Sequence, residues 1–415
     1  MKTQAPSMGF KQFVTLIASL MALNALASDT MLPALPQIGA ALHVATDNER
    51  QWVITAYLLG MGSAQFVYGI LADRFGRKQL LLMGVAAYAF FSVVAAFSTS
   101  IETMIVARAL QGAGAAGAQV LCISIVRDCY SGAKMARVMS LTFIVFMAAP
   151  IIAPSIGQAI VYVAEWRWIF VALAAFSGCL LVWAALRLPE TMHPEDRRAL
   201  SAERIAQAFG TVFTSRLAMG YMLAMAFLFG GLFAFINSVQ QIFADVFHAA
   251  DIFPMIFAVV AISMALSSFL NSRIVERLGA RRVSHGALFG WIFFAIVHFA
   301  TALSGHENIV TFTVLQSGML FCFGLVGSNF GSISMEPLGH VAGTGSSVQG
   351  FMGIAGGGFL GFIIGQSFDG TAVPLTLGYL ICGVATLVIV LITERGRLFQ
   401  ADESEAAERL IASGP

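Results

Sequence analysis

One feature runs from end to end of this chain: blocks of about twenty apolar residues, separated by short polar turns. About twenty residues of helix cross the hydrocarbon core of a bilayer. In lipid only helices and closed barrels leave no backbone group unpaired, and barrel strands would show as alternating segments of about ten residues. Composition agrees: the chain is 58% hydrophobic and 11% charged, where soluble domains carry roughly 25% charged residues. The expected class is an all-α polytopic membrane protein. The first block is too long for a signal peptide, lacks a small-residue cleavage site and is followed by many like it, so it reads as a retained helix.

The blocks predict twelve spanning helices, near 10–35, 50–72, 78–98, 103–126, 136–162, 167–187, 215–240, 251–275, 281–303, 308–331, 345–367 and 372–393. The expected organisation is a six-helix bundle over 1–188, a cytoplasmic linker over 189–215, a second bundle over 216–394 and a tail over 395–415. Lys and Arg bias toward the cytoplasmic side orients such proteins. With the N-terminus inside, 20 of the 23 Lys and Arg fall on or face that side, Arg50 and Arg167 fall outside, and Arg108 lies within a span. Both termini are therefore expected in the cytoplasm.

Net charge is +1, and no basic tract suits nucleic acid. The five cysteines lie in or beside apolar blocks without a CxxC, so no disulfide or metal framework is implied, and no cofactor either.

Two loops repeat each other. "GILADRFGRKQLLL" (69–82) follows the second block and "SRIVERLGARRVSHG" (272–286) the eighth; Gly76 aligns with Gly279, an offset of 203. "RALQGAG" from Arg108 echoes "TVLQSGM" from Thr313, an offset of 205. A half-length repeat implies two bundles related by a pseudo-twofold axis along the membrane normal, with the substrate site between them.

The first loop, with Gly69, Asp73, Arg74, Gly76, Arg77 and Lys78 in place, resembles the signature loop of the major facilitator superfamily. Over its full length the chain is similar to drug/proton antiporters of the Bcr/CflA type, on "SDTMLPALP" (28–36), "RALQGAGAA" (108–116), "APIIAPSIG" (149–157) and "EPLGHVAGTGSSVQG" (336–350). The resemblance implies proton-coupled, alternating-access efflux of small drug-like compounds across a bacterial inner membrane. Each chain holds a complete pathway, so a monomer is expected.

The motifs carry their own chemistry. The loop turns tightly at Gly69 and Gly76, and Asp128 at the end of the fourth helix joins Asp73 and Arg77 in a candidate latch holding the outward-facing state. The alternative is that these charges only cap helices. The second loop has Ala280 where the first has Arg77, which predicts a weaker latch there.

Arg108 heads a small and polar stripe that includes Gln111, Ala115 and Gln119, as expected beside a cavity. Asp29 lies at similar depth and is its natural partner. An intramembrane carboxylate marks a functional site by default. Burial favours its protonated form and a neighbouring Arg the ionised form, so Asp29 and Arg108 are the candidate proton-coupling pair. A static pair that fixes packing is the competing reading. Met21 occupies the place where some relatives of this type carry a second acid, leaving one obvious proton site in the first bundle. Pro33 and Pro36 are expected to end the first helix.

Pro150, Pro154 and Gly157 share one face of the fifth helix and predict a kink and a close helix contact; the resemblance makes this the antiporter helix. Stripes of aromatic, Met and amide groups nominate Tyr57, Met61, Gln111, Gln119, Phe233, Asn237 and Gln240 for substrate contact. His298 reads as a packed histidine. No enzyme motif is present. A carrier of a specific metabolite and a non-transporting membrane sensor are the alternatives; the first would want a more polar cavity, the second a soluble output domain.

Overall fold

The computed structural model describes residues 8–130, 132–192 and 202–400, except the side chains of Asp73, Ala133, Ala136, Ala202 and Arg204. The first bundle contains α1 (Phe10–Asp29), α2 (Leu35–Ala41), α3 (Trp52–Phe75), α4 (Arg77–Ala96), α5 (Ile101–Cys129), α6 (Gly132–Val163) and α7 (Arg167–Arg187). A short amphipathic helix, α8 (Ala202–Thr214), precedes the second bundle. That bundle contains α9 (Arg216–Gln241), α10 (Phe253–Leu278), α11 (Ala280–Leu303), α12 (Ile309–Met335), α13 (Ala342–Phe351), α14 (Gly357–Gln366) and α15 (Val373–Thr393). No strand occurs among the described residues.

Eleven stretches among these residues are long and apolar enough to cross a membrane. One of them, Ile309–Gln366, is 58 residues long. At 1.5 Å per residue that is about 87 Å of helix, far more than one crossing needs. It holds two crossings, α12 and α13–α14, separated by a 3-10 turn at Glu336–Val341. The twelve-span fold read from the sequence is thus borne out.

The first span corrects one expectation. Pro33 has no N–H to offer the carbonyl of Asp29, so α1 ends at Asp29. The chain does not stop there. It passes through a 3-10 turn at Leu32–Ala34 and re-enters α-helix as α2, with a proline in the first turn of each piece. Proline is tolerated in a first turn; here the two prolines reset the span rather than end it.

The loop 75–77 and the last turn of α15 lie at one end of the molecule, called here the terminal end; the loops 42–51 and 242–252 lie at the distal end. The bundles meet along two seams. In one, α3 runs against α13 and α14; a Cβ on Gly62 would come within 2.5 Å of the Ala355 amide, so only glycine admits this approach. In the other, α6 meets α10. Toward the terminal end α6 buries Val138 and Thr142 and α10 buries Ser267 and Asn271, while Phe143, Ile144, Phe269 and Leu270 are exposed.

Candidate functional site

Arg108 is fully buried and faces neither lipid nor an open cavity. Its Nε donates to the carbonyl of Val53 at 3.0 Å, one Nη to Gln111 Oε1 at 2.5 Å, and the other Nη to the carbonyl of Ala27 at 3.0 Å. The last bond follows from the break in α1. A helix end leaves its last carbonyls without partners, and Arg108 supplies one. Its guanidinium also lies over the Tyr57 ring, 4.5 Å from the centroid, and 5.7 Å from that of Phe170.

The expected Asp29–Arg108 ion pair is not formed among the described residues. Asp29 is buried and accepts a 2.7 Å hydrogen bond from Ser28 Oγ. The physical reason is helical phase: Ala27 and Asp29 are two residues, or about 200°, apart around α1, so a guanidinium that reaches the Ala27 carbonyl approaches a different side. Tyr57 links the two, stacked under Arg108 and within electrostatic reach of Asp29.

Around this pair runs a buried polar network. Tyr57 OH donates to Asn24 Oδ1 at 3.0 Å, Asn24 Nδ2 donates to Gln119 Oε1 at 2.6 Å, and Gln111 Nε2 donates to Ser92 Oγ at 2.6 Å. Of the proposed substrate contacts in this bundle, Tyr57 and Gln111 spend their polar groups inside it. Met61 is buried where α3 crosses Gly112 of α5. Gln119 is half-buried and sits at the edge of the network.

In the second bundle Phe233 and Asn237 are buried on α9, and both amide atoms of Asn237 lack a partner. Gln240 Oε1 is likewise buried and unpaired, and Gln240 lines a distal cleft of about 410 Å³ with Pro33, Pro36, Gln158, Tyr162 and Asp251.

The hydrogen bonds that bridge the bundles gather at the distal end. Gln51 Nε2 donates to Gln241 Oε1 at 2.6 Å and to the Gly365 carbonyl at 3.0 Å. Gln241 Nε2 donates to Asn48 Oδ1 at 2.9 Å, and Gln366 Nε2 to the Asn48 carbonyl at 2.7 Å. Arg50 pairs with Asp245 at 3.4 Å beside this clasp. The amphipathic stripes pointed at α9, but the partners Asn48, Gln51 and Gln366 were missed, because isolated amides at helix ends carry no periodic signal.

On α6, the helix continues through both Pro150 and Pro154. Gly157 lies against the backbone of Thr30: a Cβ there would strike the Thr30 carbonyl. The break that follows Asp29 is therefore in backbone contact with α6.

At the terminal end, Gly76 closes α3 and opens α4 with φ 92°, and Gly279 does the same between α10 and α11 with φ 84°. L-residues avoid this region, which explains glycine at both. Arg77 pairs with Asp128 and donates to the Ser124 carbonyl at 2.8 Å. The side chain of Asp73 lies outside the described residues. Arg74 sits over the neighbouring Phe75 ring, and Lys78 donates to the Ala185 carbonyl at 2.9 Å. Gly69 packs against Ser347 of α13. Glu190, which the sequence reading passed over, accepts from the backbone N–H of Arg77 at 3.0 Å. Arg77 and Asp128 both belong to the first bundle, so their pair does not itself tie the two bundles together. In the second loop, where Ala280 stands in place of Arg77, a neighbouring arginine carries the ion pairs. Arg281 takes over, pairing with Glu394 at 3.0 Å and Glu336 at 2.9 Å.

The family description of the major facilitator superfamily matches residues 17–365. The chain belongs to the major facilitator superfamily. This facilitator is 30% identical to a bicyclomycin resistance protein homolog of Haemophilus influenzae, over 91% of its own length and 94% of that protein. It is 28% identical to the multidrug resistance protein MdtL of Klebsiella pneumoniae over 92% and 95% of the two chains, and 28% to MdtL of Shewanella oneidensis over 78% and 80%. These relatives bear out the Bcr/CflA resemblance. Its fold matches a partially occluded, inward-open structure of the xylose transporter XylE of E. coli, with TM-score 0.69 and 14% identity, over 92% of this facilitator and 97% of that chain. It is a multi-pass membrane transporter, not an enzyme.

Proposed function

We propose that this facilitator exports small, mostly apolar or weakly charged drug-like compounds in exchange for protons, by alternating access across the inner membrane. The three relatives named for drug resistance support the substrate class. The distal end is the outside and both termini are cytoplasmic, in line with the Lys and Arg bias. The distal clasp closes the outer side, which supports reading the described conformation as inward-facing.

One observation carries the coupling: the buried carboxylate of Asp29 stands at the break in α1, and the next residue, Thr30, bears on Gly157 of α6. A carboxylate in an apolar site changes its hydration and hydrogen bonding when it gains or loses a proton. Those changes reach α6 through the Thr30 backbone, so proton occupancy biases the inter-bundle seam. Arg108 holds the end of α1 in place and is a positioning residue. Substrate lies between the bundles, near Gln119, Phe233, Asn237 and Gln240.

The test is transport in proteoliposomes. Asp29→Asn abolishes uphill transport driven by an imposed pH gradient and leaves downhill movement. Full gradient-driven uphill transport by that variant overturns the assignment.

A further inference from the structure

A second ionisable pair lies in the other bundle. His298 on α11 is fully buried, and its Nε2 lies 2.6 Å from Oε1 of Glu307, whose side chain is 7% exposed. Glu307 sits in the distal loop between α11 and α12. The imidazole packs edge-on to Phe312 at 5.2 Å and against Tyr379 of α15 at 6.1 Å. Among the described residues α12 and α15 contribute no charged side chain, and the charges of α10 begin at Arg273, toward the terminal end. The ionisable groups facing the pair are the Tyr379 hydroxyl and, beyond it, the Cys382 thiol; His306 on the same loop is exposed and contacts Ser304.

This is a costly arrangement for packing alone. A buried ion pair seldom stabilises a protein more than apolar side chains of the same size. The site is also under-bonded: His298 Nδ1 and Nε2 and Glu307 Oε1 are buried without a well-oriented hydrogen bond. Gln316 is the repeat mate of Gln111, which in the first bundle is bonded to Arg108 and Ser92. The second bundle thus sets an imidazole–carboxylate pair where the first has a fixed guanidinium.

We propose that His298 and Glu307 form a second proton-binding site, opening to the distal side through the loop 304–308. Taking a proton from distal water, or releasing one to it, changes the charge of the pair by one. Histidine is the side chain whose charge ordinarily changes between about pH 5 and 8, and that is the range in which the site is to be tested. This inference rests on the proton-coupled reading above and deepens it: the proton supply is divided between the bundles.

Two measurements decide it, on the full chain purified in detergent and in proteoliposomes. Acid–base titration between pH 5 and 8 finds one proton fewer taken up by H298Q than by wild type. The ratio of transport at pH 6 to that at pH 8 changes at least threefold in H298Q and in E307Q, while E307D keeps the wild-type ratio. If H298Q does not fold, E307Q against E307D is read by the same two measurements. Unchanged proton uptake, or pH profiles that superimpose on wild type, overturns the proposal. Failure of Asp29→Asn to uncouple transport would instead remove the first-bundle reading and leave the proton count at His298 intact.

Discussion

Gln51 and Gln241, on different bundles and 190 positions apart, share a 2.6 Å amide hydrogen bond at the distal end. Gln51 is fully buried and also holds the Gly365 carbonyl and Gln366. One residue thus ties α9 and α14 to the start of α3. A buried hydrogen bond contributes about 1 kcal/mol net. Gln51→Ala should favour the distal-open state by roughly 5- to 150-fold. Spin labels at Thr46 and His248 would report it as a longer distance population; an unchanged distribution would rule out the clasp as the closing element.

Arg108 has a fork of three bonded partners on three elements, Ala27, Val53 and Gln111. Lysine offers its donors from one point and cannot span them. Each buried acceptor left unpaired costs about 1–3 kcal/mol. Both Arg108→Ala and Arg108→Lys should lower the thermal unfolding midpoint, with lysine recovering less than half the loss. A lysine variant that melts with wild type would refute the clamp.

Gly157→Ala places a methyl group against the Thr30 carbonyl. Overpacking of this kind costs about 1–3 kcal/mol and should push α6 from the end of α1. Substrate moved per proton should fall, with folding retained. Gly178→Ala on α7, where a Cβ meets nothing within 4 Å, is the control and should transport normally. Equal coupling in the two variants would dismiss the Thr30–Gly157 contact as a link.

The fold was legible because twenty-residue apolar blocks and a half-length repeat admit few solutions. The depth of Asp29 and Arg108 was legible too, since charge is rare enough in a span to stand out. Their pairing was not. It turned on two residues of helical phase, Ala27 against Asp29, and on the Ala27 carbonyl left open at the end of α1. Asn24 was overlooked although an amide in a charge-free stretch of a spanning helix is itself a signal. Glu190 and Glu394 could not be assigned partners, because each follows the last helix of its bundle and meets a loop more than a hundred positions earlier.

The repeated loops give a further comparison. Arg281 is bonded to two carboxylates, whereas Lys78, its repeat mate, reaches only a carbonyl through its ammonium. Hydrogen bonds to charged groups contribute about 1.5–3 kcal/mol, and exposed single contacts under about 1. Arg281→Ala should destabilise the protein by about 2–3 kcal/mol and Lys78→Ala by less than about 1. Denaturant melts of the two variants test the order, and a larger loss at Lys78 would contradict it.

The distal clasp is made almost entirely of neutral amides. Bonds between glutamine and asparagine side chains neither titrate nor weaken as ionic strength rises, unlike exposed charge pairs. Under the proposed exchange of drug for protons, the two faces of the membrane work at different proton concentrations. A closure built from uncharged groups grips equally under both, leaving the decision to open with the groups that do sense protons.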